Sequence, residues 1–191
     1  MKRFFDISVS FIGLFMLLPL FTAVAIWIIL DSKGGVFYRQ TRVGKNGKDF
    51  GIVKFRTMYK RTGKDSLLTI GCNDCRITRA GRYLRKHKLD ELPQLINVLA
   101  GDMSLVGPRP EVRKYVDLYN DEQKKVLAVR PGITDYASIK YRNEGEMLVV
   151  QPNPEQYYIE QIMPDKLHIN LHCMQNRSLI KDIKIICKTI F

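Results

Sequence analysis

Two adjacent carboxylates, Asp90 and Glu91, lie in the stretch Leu89-Asp90-Glu91-Leu92-Pro93-Gln94-Leu95, directly after a run holding Arg82, Arg85, Lys86 and Lys88. Nearby cations lower carboxylate pKa values, so both acids are expected to be ionised. Neighbours on a helix point about 100° apart, so the pair is not by default a dyad sharing one proton. The chemistry open to it is a division of labour, with one carboxylate as nucleophile and the other as ligand for a divalent cation. A solvated helix end that balances its basic neighbours explains the same residues.

Two further motifs offer cations. In Val106-Gly107-Pro108-Arg109-Pro110 each proline fixes its own φ and pushes the residue before it out of the helical region. Arg109 is then held on a stiff, extended segment that presents a guanidinium to a phosphate at low entropic cost. A loop stiffened for stability alone is the equal alternative. Lys54-Phe55-Arg56-Thr57-Met58 closes a β-rich stretch; on a strand, Lys54 and Arg56 share one face, as a compact cationic site or a solvated surface. No Walker loop, GxGxxG, Ser/His/Asp set or nucleic-acid motif accompanies them. Cys72 and Cys75 form a CxxC pair and His168 and His172 an H-x3-H pair, but no second CxxC exists. Unpaired thiols in a reducing compartment account for the cysteines better than zinc or disulfides do.

The elements that must position these residues begin with an apolar run. Residues 7–30 carry no charge, and Lys2, Arg3 and Asp6 precede them. At ~1.5 Å per residue the run reaches across a hydrocarbon core of ~30 Å. It is too long for a signal peptide and lacks a small-residue cleavage site. Pro19 interrupts it, and Lys33, Arg39, Arg42, Lys45 and Lys48 follow it. Positive charge on both sides draws both ends to the cytoplasm, so a helix bent at Pro19 that enters and leaves on one face stands beside a plain spanning helix.

Residues 36–43 and 49–56 read as strands of a hairpin turned at Asn46-Gly47. Helices are expected over 77–88, 93–99, 111–129 with a break near Asn120, and 155–162. Residues 60–75 read as a polar loop, 101–110 as a rigid loop and 130–132 as a turn. Residues 178–191 form an amphipathic helix with Lys181, Lys184 and Lys188 on its polar side, suited to a core edge or a membrane surface. The chain has 191 residues and a formal charge of +12, which fits one domain and an anionic partner: a phosphorylated small molecule, an acidic membrane face or nucleic acid.

Several segments, in order, resemble the bacterial sugar transferase family, the monotopic phosphoglycosyl transferases that begin glycoconjugate synthesis. They are the apolar run with Pro19, Gln40-Thr41-Arg42-Val43-Gly44, Lys54 to Met58, Asp74-Cys75-Arg76-Ile77-Thr78 and Gly81-Arg82-Tyr83-Leu84-Arg85. Leu89 to Leu95, Asn97-Val98-Leu99, Gly101 to Pro110 and Arg130-Pro131-Gly132-Ile133-Thr134 complete the set. The resemblance implies a mostly helical α+β fold with a small antiparallel sheet and amphipathic interfacial helices. Residues 1–32 would be a re-entrant membrane helix broken at Pro19, and 33–191 a catalytic domain on the cytoplasmic face of the bacterial inner membrane. Asp90 would attack the β-phosphate of a UDP-sugar, UMP would leave, and polyprenol phosphate would take the phosphosugar. Glu91 would help hold Mg²⁺. Arg109 would contact the nucleotide or its phosphates, with Lys54, Arg56 and Arg130 nearby, and no nucleic acid is involved.

The chain departs from the family pattern at Leu18, where serine is common, at Ser32-Lys33-Gly34-Gly35, at Cys75, and at Asp135-Tyr136-Ala137-Ser138. The rival expectations are a transferase using a non-uridine nucleotide, and a non-catalytic membrane protein whose basic face binds acidic lipid or nucleic acid.

Overall fold

A computed structural model describes residues 1–59, 75–175 and 177–190. Cys72, Asp74 and nearly all of the expected polar loop lie outside the described residues. The apolar run forms one helix, α1 (Lys2–Asp31), which passes through Pro19 without interruption. The Thr22 hydroxyl donates to the Leu18 carbonyl at 3.0 Å, a side-chain contact of the kind that bends helices.

Such a helix is about 45 Å long, and its middle is largely bare: Phe11, Phe15, Met16 and Leu18 are exposed, while only Asp6, Ser10, Val24 and Ile28 are buried. An apolar surface of this extent needs a cover.

Both ends of α1 are nevertheless seated on the same body. At the start, Lys2 Nζ donates to the Val106 carbonyl (3.1 Å) and Arg3 to the Val98 carbonyl (2.7 Å). The buried Asp6 carboxylate accepts from the Ser104 hydroxyl at 2.7 Å. At the far end, Val24 and Ile28 pack with Phe55 and Leu84, and Asp31 accepts from the Ala80 N–H at 2.9 Å.

Strands β1 (Phe37–Val43) and β2 (Asp49–Phe55) pair antiparallel, Phe37 opposite Phe55 and Val43 opposite Asp49. Asn46 (φ 56°) and Gly47 (φ 72°) take the left-handed conformations expected of their turn. Helix α2 (Arg79–Lys86) is capped by the Thr78 hydroxyl and lies so close to the chain leaving β2 that a Cβ at Gly81 would stand 2.1 Å from the Thr57 carbonyl. After Lys88 (φ 57°) a 3-10 turn, Leu89–Glu91, leads into α3 (Gln94–Ala100).

The expected rigid loop 101–110 contains a strand, β3 (Ser104–Val106), paired in parallel with β4 (Gly132–Thr134). All three residues of β3 are buried, and so short an element shows no alternation to read. The expected helix 111–129 is α4 (Arg113–Val116), α5 (Asp121–Lys124) and a 3-10 turn, interrupted where Asn120 caps α5 with Gln123. Helices α6 (Tyr136–Lys140) and α7 (Glu144–Val149) fill a stretch that carried no expectation. From α8 (Pro154–Tyr157) the helix runs through a π turn into α9 (Met163–Gln175), well past the expected stop at 162. Pro164, inside this continuous helix, directly follows the π turn, an irregularity of the ladder that goes with an interior proline.

The terminal helix, α10 (Leu179–Ile190), buries Ile185 and leaves Leu179, Ile180 and Ile183 exposed. The fold is mostly helical with a small antiparallel sheet, as expected, and the parallel β3–β4 pair is an addition to that expectation.

Candidate active site

The left-handed Lys88 reverses the chain at the end of α2, and the 3-10 turn that follows sets Asp90 and Glu91 against the end of β2. Asn97, on α3, fixes that approach: its amide oxygen accepts from the Val53 N–H (2.9 Å) and its amide nitrogen donates to the Gly51 carbonyl (2.8 Å). Lys54 at the end of β2 then reaches Glu91 Oε1 at 2.8 Å. From the other side Arg109 grips the same carboxylate with both terminal nitrogens, Nη1 to Oε2 at 3.1 Å and Nη2 to Oε1. Such a fork-to-fork pair is both strong and directional. Asp90 is 8% exposed. Arg85 donates to the Thr57 hydroxyl at 2.9 Å, and its charge also acts on Asp90.

The two carboxylates do not behave alike, contrary to the expectation that cations lower both. Burial raises the Glu91 carboxyl, but Arg109 and Lys54 together outweigh it and hold Glu91 well below the usual range. Burial raises Asp90, the Glu91 charge raises it further, and Lys54, Arg85 and Arg109 offset this only in part. Burial also lowers the Lys54 ammonium more than Glu91 raises it. Adjacent acids with pKa values pushed apart are the usual mark of two roles in one reaction. Asp90 is the more basic of the two carboxylates, and Glu91 is a fixed anion that organises two cations.

Of the residues expected at the site, the structure brings Lys54, Asp90, Glu91 and Arg109 together. It gives two others different partners. Strand β2 ends at Phe55, so Arg56 does not share a strand face with Lys54. Its guanidinium turns to the end of α1 and donates to the carbonyls of Ser32 (2.7 Å) and Lys33 (2.8 Å). Arg130 Nε donates to the Gly101 carbonyl at 2.8 Å, beside the α3 carbonyls that Arg3 engages. Arg85 and Asn97 were not expected at the site, although Arg85 belongs to the basic run and both lie in segments that carry the family resemblance.

A Mg²⁺ ion asks for one or two carboxylates, with substrate phosphates and water completing its shell. Asp90 and Glu91 meet that modest demand, although both Glu91 oxygens already hold cations. Among the described residues no group of three His, Cys, Asp or Glu side chains gathers into a metal site.

The family model for bacterial sugar transferase matches residues 1–191. The chain is 38% identical to the UDP-N-acetylgalactosamine-undecaprenyl-phosphate N-acetylgalactosaminephosphotransferase of Aeromonas hydrophila, over 99% of this chain and 42% of that protein. It is 37% identical to the uncharacterized sugar transferase EpsL of Bacillus subtilis, over 100% of this chain and 85% of that one. The UDP-glucose:undecaprenyl-phosphate glucose-1-phosphate transferase of Caulobacter vibrioides is 35% identical, over 99% and 68%. The chain thus spans less than half of the Aeromonas relative and about two thirds or more of the other two. With the model matched along the whole chain, the protein belongs to the bacterial sugar transferase family.

Proposed function

We propose that the protein transfers a sugar 1-phosphate from a UDP-sugar to a polyprenol phosphate at the cytoplasmic face of the bacterial inner membrane. The observation that carries this reading is the unequal carboxylate pair: a buried, raised Asp90 beside a Glu91 clasped by Lys54 and Arg109. Relatives whose names give undecaprenyl phosphate as acceptor support the substrate class.

In this reading an Asp90 carboxylate oxygen forms a bond to the sugar-bearing β-phosphorus of the donor. The bond from that phosphorus to the bridging oxygen breaks, and UMP leaves with the electron pair. A phosphate oxygen of the polyprenol phosphate then attacks the same phosphorus, giving a polyprenol diphosphate sugar and freeing Asp90. Lys54 and Arg109 bind the diphosphate, so that an anionic nucleophile can approach an anionic donor. Mg²⁺, held by Glu91 and the donor's phosphate oxygens, would neutralise charge on the leaving UMP.

The apolar helix α1 supplies attachment. Its two ends contact one body while its middle is bare, which supports a re-entrant course turned near Pro19. Exposed Leu179, Ile180 and Ile183 on basic α10, close to the start of α1 through Lys2 and Asp182, would extend the membrane-facing surface.

The test is UMP release from a panel of UDP-sugars by protein in nanodiscs with Mg²⁺, with and without polyprenol phosphate. Acceptor-stimulated UMP formation from at least one sugar is expected. Folded protein that releases no UMP from any of them contradicts the reading, and GDP- and CDP-sugars then identify a different donor.

A further inference from the structure

Pro108 and Pro110 have no N–H, so Arg109 carries the only backbone donor between Gly107 and Glu111. The β3–β4 ladder does not reach it. Gly107 N donates to the Thr134 carbonyl (3.0 Å) and Gly132 N to the Pro108 carbonyl (2.9 Å), and past Thr134 the chain turns into α6. A carboxylate takes over where the ladder stops. Asp135 Oδ2 accepts from the Arg109 N–H at 3.1 Å and from Asn170 Nδ2, on α9, at 2.9 Å. Its other oxygen accepts from the Ser138 N–H at 2.5 Å and caps α6. Asp135 is 3% exposed and Asn170 7%. Capping α6 needs only one oxygen, and the second is aimed at the main chain of the residue that grips Glu91.

We infer that Asp135, aligned by Asn170, is a positioning residue that fixes the Arg109 main chain so that its guanidinium meets Glu91 and the donor's diphosphate. This rests on the proposed function for the ligand's identity. The chain of contacts runs from α9 through Asn170, Asp135 and Arg109 to Glu91 and Lys54, so a helix remote from the carboxylates sets the geometry of the anion site. Asp135 touches no substrate and acts through Arg109.

The experiment is a double-mutant cycle on the full chain in nanodiscs, read as the Kd for UDP and as kcat/KM for UMP release. Asp135→Asn keeps an oxygen for the Ser138 N–H but turns an amide nitrogen toward two donors, so UDP binding should weaken about five- to tenfold. On an Arg109→Ala background the same change should have almost no further effect, because the group it positions is gone. An equal loss on both backgrounds would overturn the inference and leave Asp135 a packing residue.

The pair Asp135→Asn with Asn170→Asp covers poor folding, since it restores the bond between α6 and α9 but not the one to Arg109. Thermal stability should recover while UDP binding stays weak, and recovery of both would also overturn the inference. Wild-type protein that binds UDP but releases no UMP would sink the transfer reading alone, whereas failure to bind UDP would sink both.

Discussion

Two pairs of cations show how the same charge is given opposite tasks. Lys54 and Arg109 end on a carboxylate, Glu91. Arg56, in the same motif as Lys54, and Arg130, in the later Arg130-Pro131-Gly132 segment, end on main-chain carbonyls. A cation on a single carboxylate can exchange partners when a diphosphate arrives, because one anion replaces another. A cation on the carbonyls at a helix end satisfies acceptors that the helix ladder does not use, and the loss on removing it grows with their burial. The first pair is expected to govern binding and turnover, the second to govern stability.

The largest effect should come from Asp90→Asn, which removes the proposed nucleophile: UMP release is expected to fall by about 10³-fold or more with little loss of thermal stability. Arg109→Ala should lower kcat/KM for the donor by roughly 10²-fold, since a positioned cation on developing phosphate charge is worth several kcal/mol. Arg56→Met should reverse that pattern. Loss of buried charged hydrogen bonds at the end of α1 should destabilise the fold by about 2–3 kcal/mol in a denaturant titration, while the donor KM of the folded fraction stays within twofold. Arg130→Gln, at an exposed site, should cost less than about 1 kcal/mol and leave the donor KM unchanged. A rise in that KM comparable to the effect of Arg109→Ala would erase the distinction between the two pairs.

The smallest and most informative change is in pH dependence. The proposed attack requires ionised Asp90, whose pKa is raised by burial and by the Glu91 charge. The acid limb of kcat/KM should therefore lie above the 3.8 of an ordinary aspartate. Glu91→Gln removes the like charge and should move that limb to lower pH even as the rate falls. Lys54→Met removes an opposing cation and should move it up. A limb that stays put in both variants would mean that Asp90 does not feel these neighbours.

Much of this was legible in the sequence. The uncharged run, the Asn46-Gly47 turn and the Asp90-Glu91 pair carry local signals of length, turn type or spacing, and the structure keeps each where it was expected, with the run as one helix. Strands β3 and β4 left no trace, because three residues are too few to show a period and their pairing joins segments distant in the chain. The task of Arg56 was hidden for a related reason: where β2 ends decides which way the side chain points, and the carbonyls it meets belong to residues just past α1, distant in the chain. The divergence of the two carboxylates was also out of reach, since burial and partner geometry are tertiary quantities that a list of nearby cations does not contain.

The most direct test of the central claim is to mix the protein with a UDP-sugar that it turns over, omit polyprenol phosphate, quench rapidly and weigh the intact chain. One sugar phosphate of added mass is expected, located on the peptide that contains Asp90, cleared by adding polyprenol phosphate and absent from Asp90→Asn. Full turnover with no adduct on any timescale, or an adduct that persists in Asp90→Asn, would contradict it.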